Sequence, residues 1–154
     1  LNLPKGRVEK INILRQGVVE MKFNFEVPEP LQLSAPVSHY EDLLSDYRYL
    51  DISYLGIGST GQIFGKCEIG GINYAIKSYE TAGLITSIEI LDARETDSFL
   101  DIPLSLSSRK FVKALKDVGI EFEHDRDGIT ISHDNGTIAL SYEFGKVVAI
   151  YWGS

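Results

Sequence analysis

The chain has 154 residues, of which 44% are hydrophobic and 24% are charged, and this composition excludes a disordered or fibrous protein. Its 22 acidic residues outnumber its 15 basic residues, and the net charge of -7 repels phosphate backbones and anionic lipids, which argues against nucleic acid and membrane partners. The single cysteine, Cys67, excludes an internal disulfide. We predict a single domain over residues 1–154.

No stretch of the sequence approaches the run of about 18 apolar residues that a membrane-spanning helix requires. The first residues, LNLPKGRVEKINI, also lack the apolar core of a secretory signal. We therefore expect a cytoplasmic protein.

The first third of the chain predicts a β-hairpin, a loop and a helix, in that order. Apolar residues alternate with polar ones through residues 8–13 and 19–25, which is the period of a half-buried strand. The prolines that follow exclude a central strand, because proline lacks the N–H that a ladder requires. Ser38 and Glu41 form a Ser-x-x-Glu capping box, which predicts a helix from His39 to Tyr49.

The rest of the chain predicts two β-meanders separated by one helix. Ser107 or Ser108 caps that helix, whose apolar stripe ends at Gly119. The predicted strands are 50–57, 62–69, 72–79 and 84–91 before the helix, and 128–132, 137–142 and 146–151 after it. These elements predict the α+β class, with twisted antiparallel sheets built from β-meanders and packed against one or two helices.

The two meanders resemble each other in sequence. The segments GGINYAIKSYETAGLITSIEI and NGTIALSYEFGKVVAIY share a glycine turn, a Ser-Tyr-Glu, a second glycine and an isoleucine five places after it. This similarity fits an internal duplication of about residues 61–91 and 127–152. It also fits two unrelated hairpins that share turn chemistry, and the sequence leaves both explanations open.

A glycine-rich motif lies between the first two strands of the first meander. LGIGSTG at residues 55–61, followed by AIK at residues 75–77, resembles the nucleotide-binding start of a protein kinase. The resemblance implies that the glycine loop 56–61 covers phosphates and that Lys77 pairs with them. However, GLITSIEILD reads as a strand where kinases have a glutamate-bearing helix, and no catalytic loop follows. Nucleotide binding is therefore an alternative and not the leading hypothesis.

The histidines His39, His124 and His133 could bind a metal or serve as general acid and base. Two of them lie near aspartates, but no His-x-x-x-His pair, calcium loop or nucleophile motif accompanies them. We expect no catalytic site, no metal and no cofactor, and hence no enzymatic activity.

Acidic residues cluster in the second half of the chain, and such clusters can enter a cationic cleft on another protein. Turns and helix ends are the alternative explanation of many of these acids. The candidate partner-binding residues are Asp92, Glu95, Asp97, Asp101, Glu121, Glu123, Asp125, Asp127 and Asp134. The candidate aromatic contacts of the same interface are Tyr40, Tyr47, Tyr49, Tyr54 and Trp152, of which some are expected to belong to the core instead.

The small size, the acidity, the expected cytoplasmic location and the closing segment EFGKVVAIYW are similar to those of immunity proteins that accompany bacterial polymorphic toxins, including contact-dependent growth inhibition systems. The resemblance implies a protein that binds a cognate, basic toxin domain, often a nuclease, and blocks its active site or an exosite by stoichiometric occlusion. The alternatives are a protein-binding adaptor that uses an exposed sheet edge, and a nucleotide-binding domain that uses the glycine loop.

Overall fold

A computed structural model describes residues 20–154. The predicted N-terminal hairpin therefore lies mostly outside the described residues, and only its end can be compared. The described part contains two α-helices, a large antiparallel sheet and a smaller sheet, which confirms the predicted α+β class.

The helices and strands follow one another in a simple order along the chain. The bounds are β1 Lys22–Phe23, α1 Val37–Leu43, β2 Ser45–Asp51, a 3-10 helix Ser53–Leu55, β3 Gly61–Ile69, β4 Ile72–Thr81, β5 Leu84–Ile90, β6 Ser98–Phe99, β7 Ile102–Pro103, α2 Ser108–Asp117, β8 Glu123–His124, β9 Gly128–His133, β10 Gly136–Glu143 and β11 Lys146–Gly153. The main sheet has the strand order β2-β3-β4-β5-β11-β10-β9-β8, and the small sheet has the order β1-β6-β7. The small sheet is mixed, because β1 pairs with β6 in parallel.

The segment from α1 to the 3-10 helix differs from the sequence-based prediction. The predicted helix His39–Tyr49 ends at Leu43, and the side chain of Ser38 does not cap it, because the N-cap position is Pro36. The next residues form β2, and the 3-10 helix lies within the predicted strand 50–57. From Tyr47 onward, apolar and polar residues alternate as they do in a strand, although the same residues also have helical spacing. Pairing with β3 favours the strand.

The other predicted elements agree with the structure to within a few residues. Strands β3, β4 and β5 form the first meander, and β9, β10 and β11 form the second. The helix α2 begins after Ser107, whose hydroxyl accepts a hydrogen bond from the backbone N–H of Lys110 at 3.3 Å. It ends before Gly119, which has a φ of 80°.

The main sheet buries one face in a single hydrophobic core. On this core face, alternate residues such as Ile76, Ile90 and Ile150 pack with residues of both helices and of the small sheet. On the other face, called the open face below, the long side chains are half-buried or exposed. Its central row crosses all eight strands and consists of Arg48, Phe64, Lys77, Glu89, Tyr151, Ala139, Thr130 and Glu123.

The two meanders are related by an approximate two-fold axis. Their last strands, β5 and β11, pair antiparallel, and Glu89 lies opposite Tyr151. Each of these two residues comes six positions after the glycine of its hairpin turn, Gly83 or Gly145, so the axis passes between them. A helix precedes each four-stranded half. The repeated topology supports the internal duplication, which stays a prediction.

The detailed pairing within the two last hairpins is also repeated. Both turns have two residues with positive φ. The strands that follow them, β5 and β11, each have one extra residue at the same distance from the turn. The identical Ser-Tyr-Glu segments are offset by one residue relative to these turns. Tyr79 consequently lies on the open face, whereas Tyr142 pairs with Val147 on the core face.

Candidate functional site

The first acidic cluster lies beside the small sheet, and its central member is buried. Asp97 is 1% exposed, and it accepts hydrogen bonds from the backbone N–H groups of Met21 and Arg94 at 3.1 and 2.8 Å. It also accepts from the Tyr74 hydroxyl at 2.8 Å and pairs with the Arg94 guanidinium at 3.2 Å. The prediction that Asp97 contacts a partner is therefore wrong, because its carboxylate holds the small sheet against β4.

The other members of this cluster are exposed but largely compensated. The carboxylate of Asp92 accepts from the backbone N–H of Ala75 at 2.8 Å, and that of Glu95 pairs with Lys146 at 2.6 Å. Asp101 lies 4.0 Å from the ammonium of Lys22. These carboxylates already have favourable contacts within the chain, which reduces what a partner would gain from them.

The second acidic cluster lies at the sheet edge formed by β8, and most of it is uncompensated. Asp125 closes the turn after β8, since its carboxylate accepts from the N–H groups of Asp127 and Gly128 at 2.7 and 3.1 Å. The side chains of Glu121, Glu123 and Asp127 are exposed and have no hydrogen bond or ion pair within residues 20–154. These three carboxylates are free to pair with cations of another molecule.

Asp134 lies apart from both clusters, in the turn between β9 and β10. Its φ of 46° and the φ of 64° at Asn135 form a two-residue hairpin turn. Its carboxylate lies 3.3 Å from Nε2 of His133. The turn geometry accounts for an aspartate at this position, although it remains accessible.

Two clefts of opposite charge meet at the β8 edge. The first, called the cationic cleft, has a volume of about 430 Å³ and lies between α2, the turn after β8, and Tyr142. The second, called the acidic cleft, has a volume of about 660 Å³ and contains Glu121 and Glu123. Lys116 and His124 line both clefts and separate them.

The cations of the first cleft arise from a simple pattern in α2. Arg109, Lys113 and Lys116 follow one another at helical spacing and lie on one side of the helix, while Phe111 and Leu115 are buried in the core. The spacing of these three cations is visible in the sequence, but the predictions above include only the apolar stripe of this helix. The facing residues are His124 of β8 and Arg126 of the turn that follows it, and only the fold brings them to the helix.

The opposite edge of the main sheet is apolar. At the end of β2 and in the segment that follows it, the exposed fractions are 50% for Leu50, 77% for Tyr54, 52% for Leu55 and 61% for Ile57. This run of exposed apolar side chains is unusual for a monomeric surface and is typical of an interaction site. It coincides with the start of the glycine loop.

The arrangement of the glycine loop and Lys77 differs from that of a kinase in one decisive respect. The next element, β5, is a strand, as predicted, so the glutamate-bearing helix of kinases does not exist there. Gly61 pairs with Glu80, which places Lys77 three residues farther along β4, at about 10 Å. The Lys77 ammonium lies 5.5 Å from the Tyr79 ring and faces Glu89, whose pKa is raised by burial and partly lowered again by this lysine.

The predicted aromatic contacts separate into two groups. Tyr40 and Trp152 are 0% and 2% exposed, so these two are the members of the set that belong to the core. Tyr49 and Tyr54 are exposed, and Tyr47 is half-buried. Large aromatic residues in the core contribute apolar burial and not partner recognition.

Neither a metal-binding cluster nor a membrane-spanning helix occurs among the described residues. Among residues 20–154, no group of three or more histidine, cysteine, aspartate or glutamate side chains is placed to hold a metal ion. His133 stacks on Phe25 with ring centroids 4.1 Å apart, which gives it a packing role. The helices of this part of the chain are all too short or too polar to cross a membrane.

Comparison with known proteins found no matching family model, no similar curated protein and no similar solved structure.

Proposed function

We propose that this protein binds and neutralises a basic protein, such as a cytoplasmic bacterial toxin domain, by stoichiometric occlusion and without turnover. The observation that carries the proposal is the free carboxylates Glu121, Glu123 and Asp127 at the exposed β8 edge. Exposed carboxylates without internal partners lose no existing contact when a basic surface approaches them. The net charge of -7 adds a long-range attraction that accelerates association with such a partner.

The experiment is affinity capture from the native cell at low and high salt, followed by titration of the recovered partner. The double variant Glu121→Lys, Glu123→Lys is expected to weaken binding by about tenfold or more, because two attractive contacts become repulsive. Glu68→Lys is the matched control, since Glu68 is an exposed carboxylate on β3 outside this edge. The proposal fails if no basic protein is captured, or if both variants reduce its affinity equally.

The apolar edge favours a second candidate function, a protein-binding adaptor. Leu50, Tyr54, Leu55 and Ile57 would then bury apolar surface against a partner that adds to the β2 edge. The double variant Leu55→Ser, Ile57→Ser would abolish capture, and high salt would not. Loss of capture in this variant, together with full binding in the charge-reversed variant, would replace the first proposal with the second.

A further inference from the structure

We infer that the cationic cleft is a binding site for a small phosphorylated molecule, which it holds through the phosphate groups. This inference is independent of the proposed function, because it concerns the other side of β8 and a ligand of opposite charge. The kinase-like sequence motif would place a phosphate at the glycine loop, whereas this inference places it in a cleft far from that loop.

The charge in the cleft is strongly positive for so acidic a protein. Four basic side chains line it, against the single carboxylate of Asp125, and this carboxylate is engaged by two backbone N–H groups of its own turn. Lys113 pairs with Asp117 at 3.2 Å, so one of the four is partly neutralised. The charges of Arg109, Lys116 and Arg126 are not balanced by any ion pair within residues 20–154.

The placement of these cations suits a phosphate better than a carboxylate. Arg109 on α2 and Arg126 in the turn after β8 line the cleft from two different elements. Guanidinium groups donate paired hydrogen bonds that match the oxygens of a phosphate. Lys116 adds a point charge on the side nearest to β8. A group with three acceptor oxygens and up to two negative charges can satisfy all three side chains at once.

The inner wall of the cleft supplies an apolar surface. Val112 and the ring of Tyr142 line this wall. The Tyr142 hydroxyl is buried and has no hydrogen-bond partner in the described part of the chain. Burial raises the pKa of Tyr142, and Asp125 adds to the rise, so the hydroxyl keeps its proton. The volume of about 430 Å³ lies in the range of small-molecule sites and would accept an organic group beside the phosphates.

The test is calorimetric titration of the full chain with inorganic pyrophosphate and with adenosine triphosphate at low salt. We expect saturable one-to-one binding of at least one of these probes. Arg109→Gln and Arg126→Gln should each weaken it by about tenfold, because each removes a charge-assisted hydrogen bond. Lys110→Gln is the matched control, since Lys110 is exposed on the same helix but does not line the cleft, and it should change the affinity less than twofold. Circular dichroism and urea midpoints establish that each variant is folded.

Several outcomes would overturn the inference. One is that neither probe saturates the protein at millimolar concentration. Another is that Lys110→Gln weakens binding as much as Arg109→Gln, which would indicate diffuse electrostatic attraction only. If Lys77→Ala abolished nucleotide binding while both arginine variants retained it, the phosphate site would lie at the glycine loop. Much tighter binding of a short single-stranded DNA than of adenosine triphosphate would assign the cleft to nucleic acid.

Discussion

Asp97 is a charged residue whose role is decided by burial. An ionised carboxylate removed from water costs several kcal/mol unless donors surround it, and Asp97 accepts from two backbone N–H groups, a hydroxyl and a guanidinium. In the sequence it is one acid among several in a polar segment. The four donors belong to Met21, Tyr74 and Arg94, and no local sequence pattern predicts that they surround Asp97.

Replacement of Asp97 by asparagine should therefore destabilise the protein strongly. The amide keeps the shape but replaces one acceptor oxygen with an NH2 donor that faces other donors, and we expect a loss of about 3 kcal/mol in the free energy of unfolding. Urea denaturation measures this loss. Asp101→Asn is the control, because Asp101 is exposed and should change the stability by no more than about 0.5 kcal/mol. Equal effects of the two substitutions would contradict the structural role.

Glu80 is the second buried carboxylate, and it predicts a pH dependence. Burial is the largest influence and raises its pKa, but hydrogen bonds to the carboxylate, among them those from the Tyr49 hydroxyl and the backbone N–H of Gly83, lower it below the ordinary value of 4.5. Since the folded pKa is the lower one, ionised Glu80 stabilises the fold above about pH 4.5, and this stabilisation disappears as the pH falls through the folded pKa.

The variant Glu80→Gln should accordingly be less stable than the original protein at pH 7, and the difference should shrink toward pH 3. Urea denaturation at a series of pH values gives the difference directly. Glu68→Gln, at an exposed position, should show a small difference that hardly changes with pH. A deficit of Glu80→Gln that stayed constant between pH 7 and pH 3 would show that ionisation of Glu80 does not contribute.

At the scale of single elements, the hairpin turn between β10 and β11 breaks a local rule. Phe144 has a φ of 52° and is 96% exposed, although this position of a two-residue turn favours asparagine, aspartate or glycine. Phe144→Asn should raise the free energy of unfolding by about 1 kcal/mol, because the backbone strain is relieved and no buried contact is lost. Thermal or urea unfolding checks the gain.

The control for this turn separates backbone strain from the loss of an exposed ring. Phe144→Leu keeps a side chain that is equally unsuited to positive φ, so it should leave the stability unchanged. Ala82→Asn, at the equivalent position of the β4–β5 turn with a φ of 53°, should show a gain similar to that of Phe144→Asn. No gain at either turn would contradict the explanation by strain.

Elements with local signals were predictable from the sequence, and the others were not. The helix α2 has a cap, an apolar stripe and a terminal glycine, and the hairpins have their turn residues, so each is specified within a few residues. The strand β2 has no such signal. Its residues satisfy both periods, and its conformation depends on pairing with β3, which begins ten residues after β2 ends.

At the scale of the whole molecule, the sites depend on contacts that span the chain. The cationic cleft lies between α2 and the turn that follows β8. It is also lined by Tyr142 of β10, a strand that pairs with β11. The basic stripe of α2 could have been read from the sequence, but its opposition to Arg126 could not. The same holds for the separation of the acidic and apolar surfaces to opposite edges of one sheet.

The seam between β5 and β11 joins the two halves of the sheet. Ile90 lies opposite Ile150, and Ile88 lies opposite Trp152, with all four side chains buried in one core. If the halves depend on this seam, neither can keep its apolar face covered alone, and the described domain should unfold in one transition. Trp152 is the single tryptophan of the chain, so its fluorescence reports on the seam itself.

We expect urea unfolding followed by Trp152 fluorescence and by far-ultraviolet circular dichroism to give the same midpoint. Ile88→Ala should lower the free energy of unfolding by about 3 kcal/mol, because it leaves a cavity at the seam, and the two signals should still coincide. Ile57→Ala is the control, since Ile57 is largely exposed and should cost less than about 0.5 kcal/mol. Two separate transitions by circular dichroism, with only one of them reported by Trp152, would mean that the two halves fold independently in spite of their shared core.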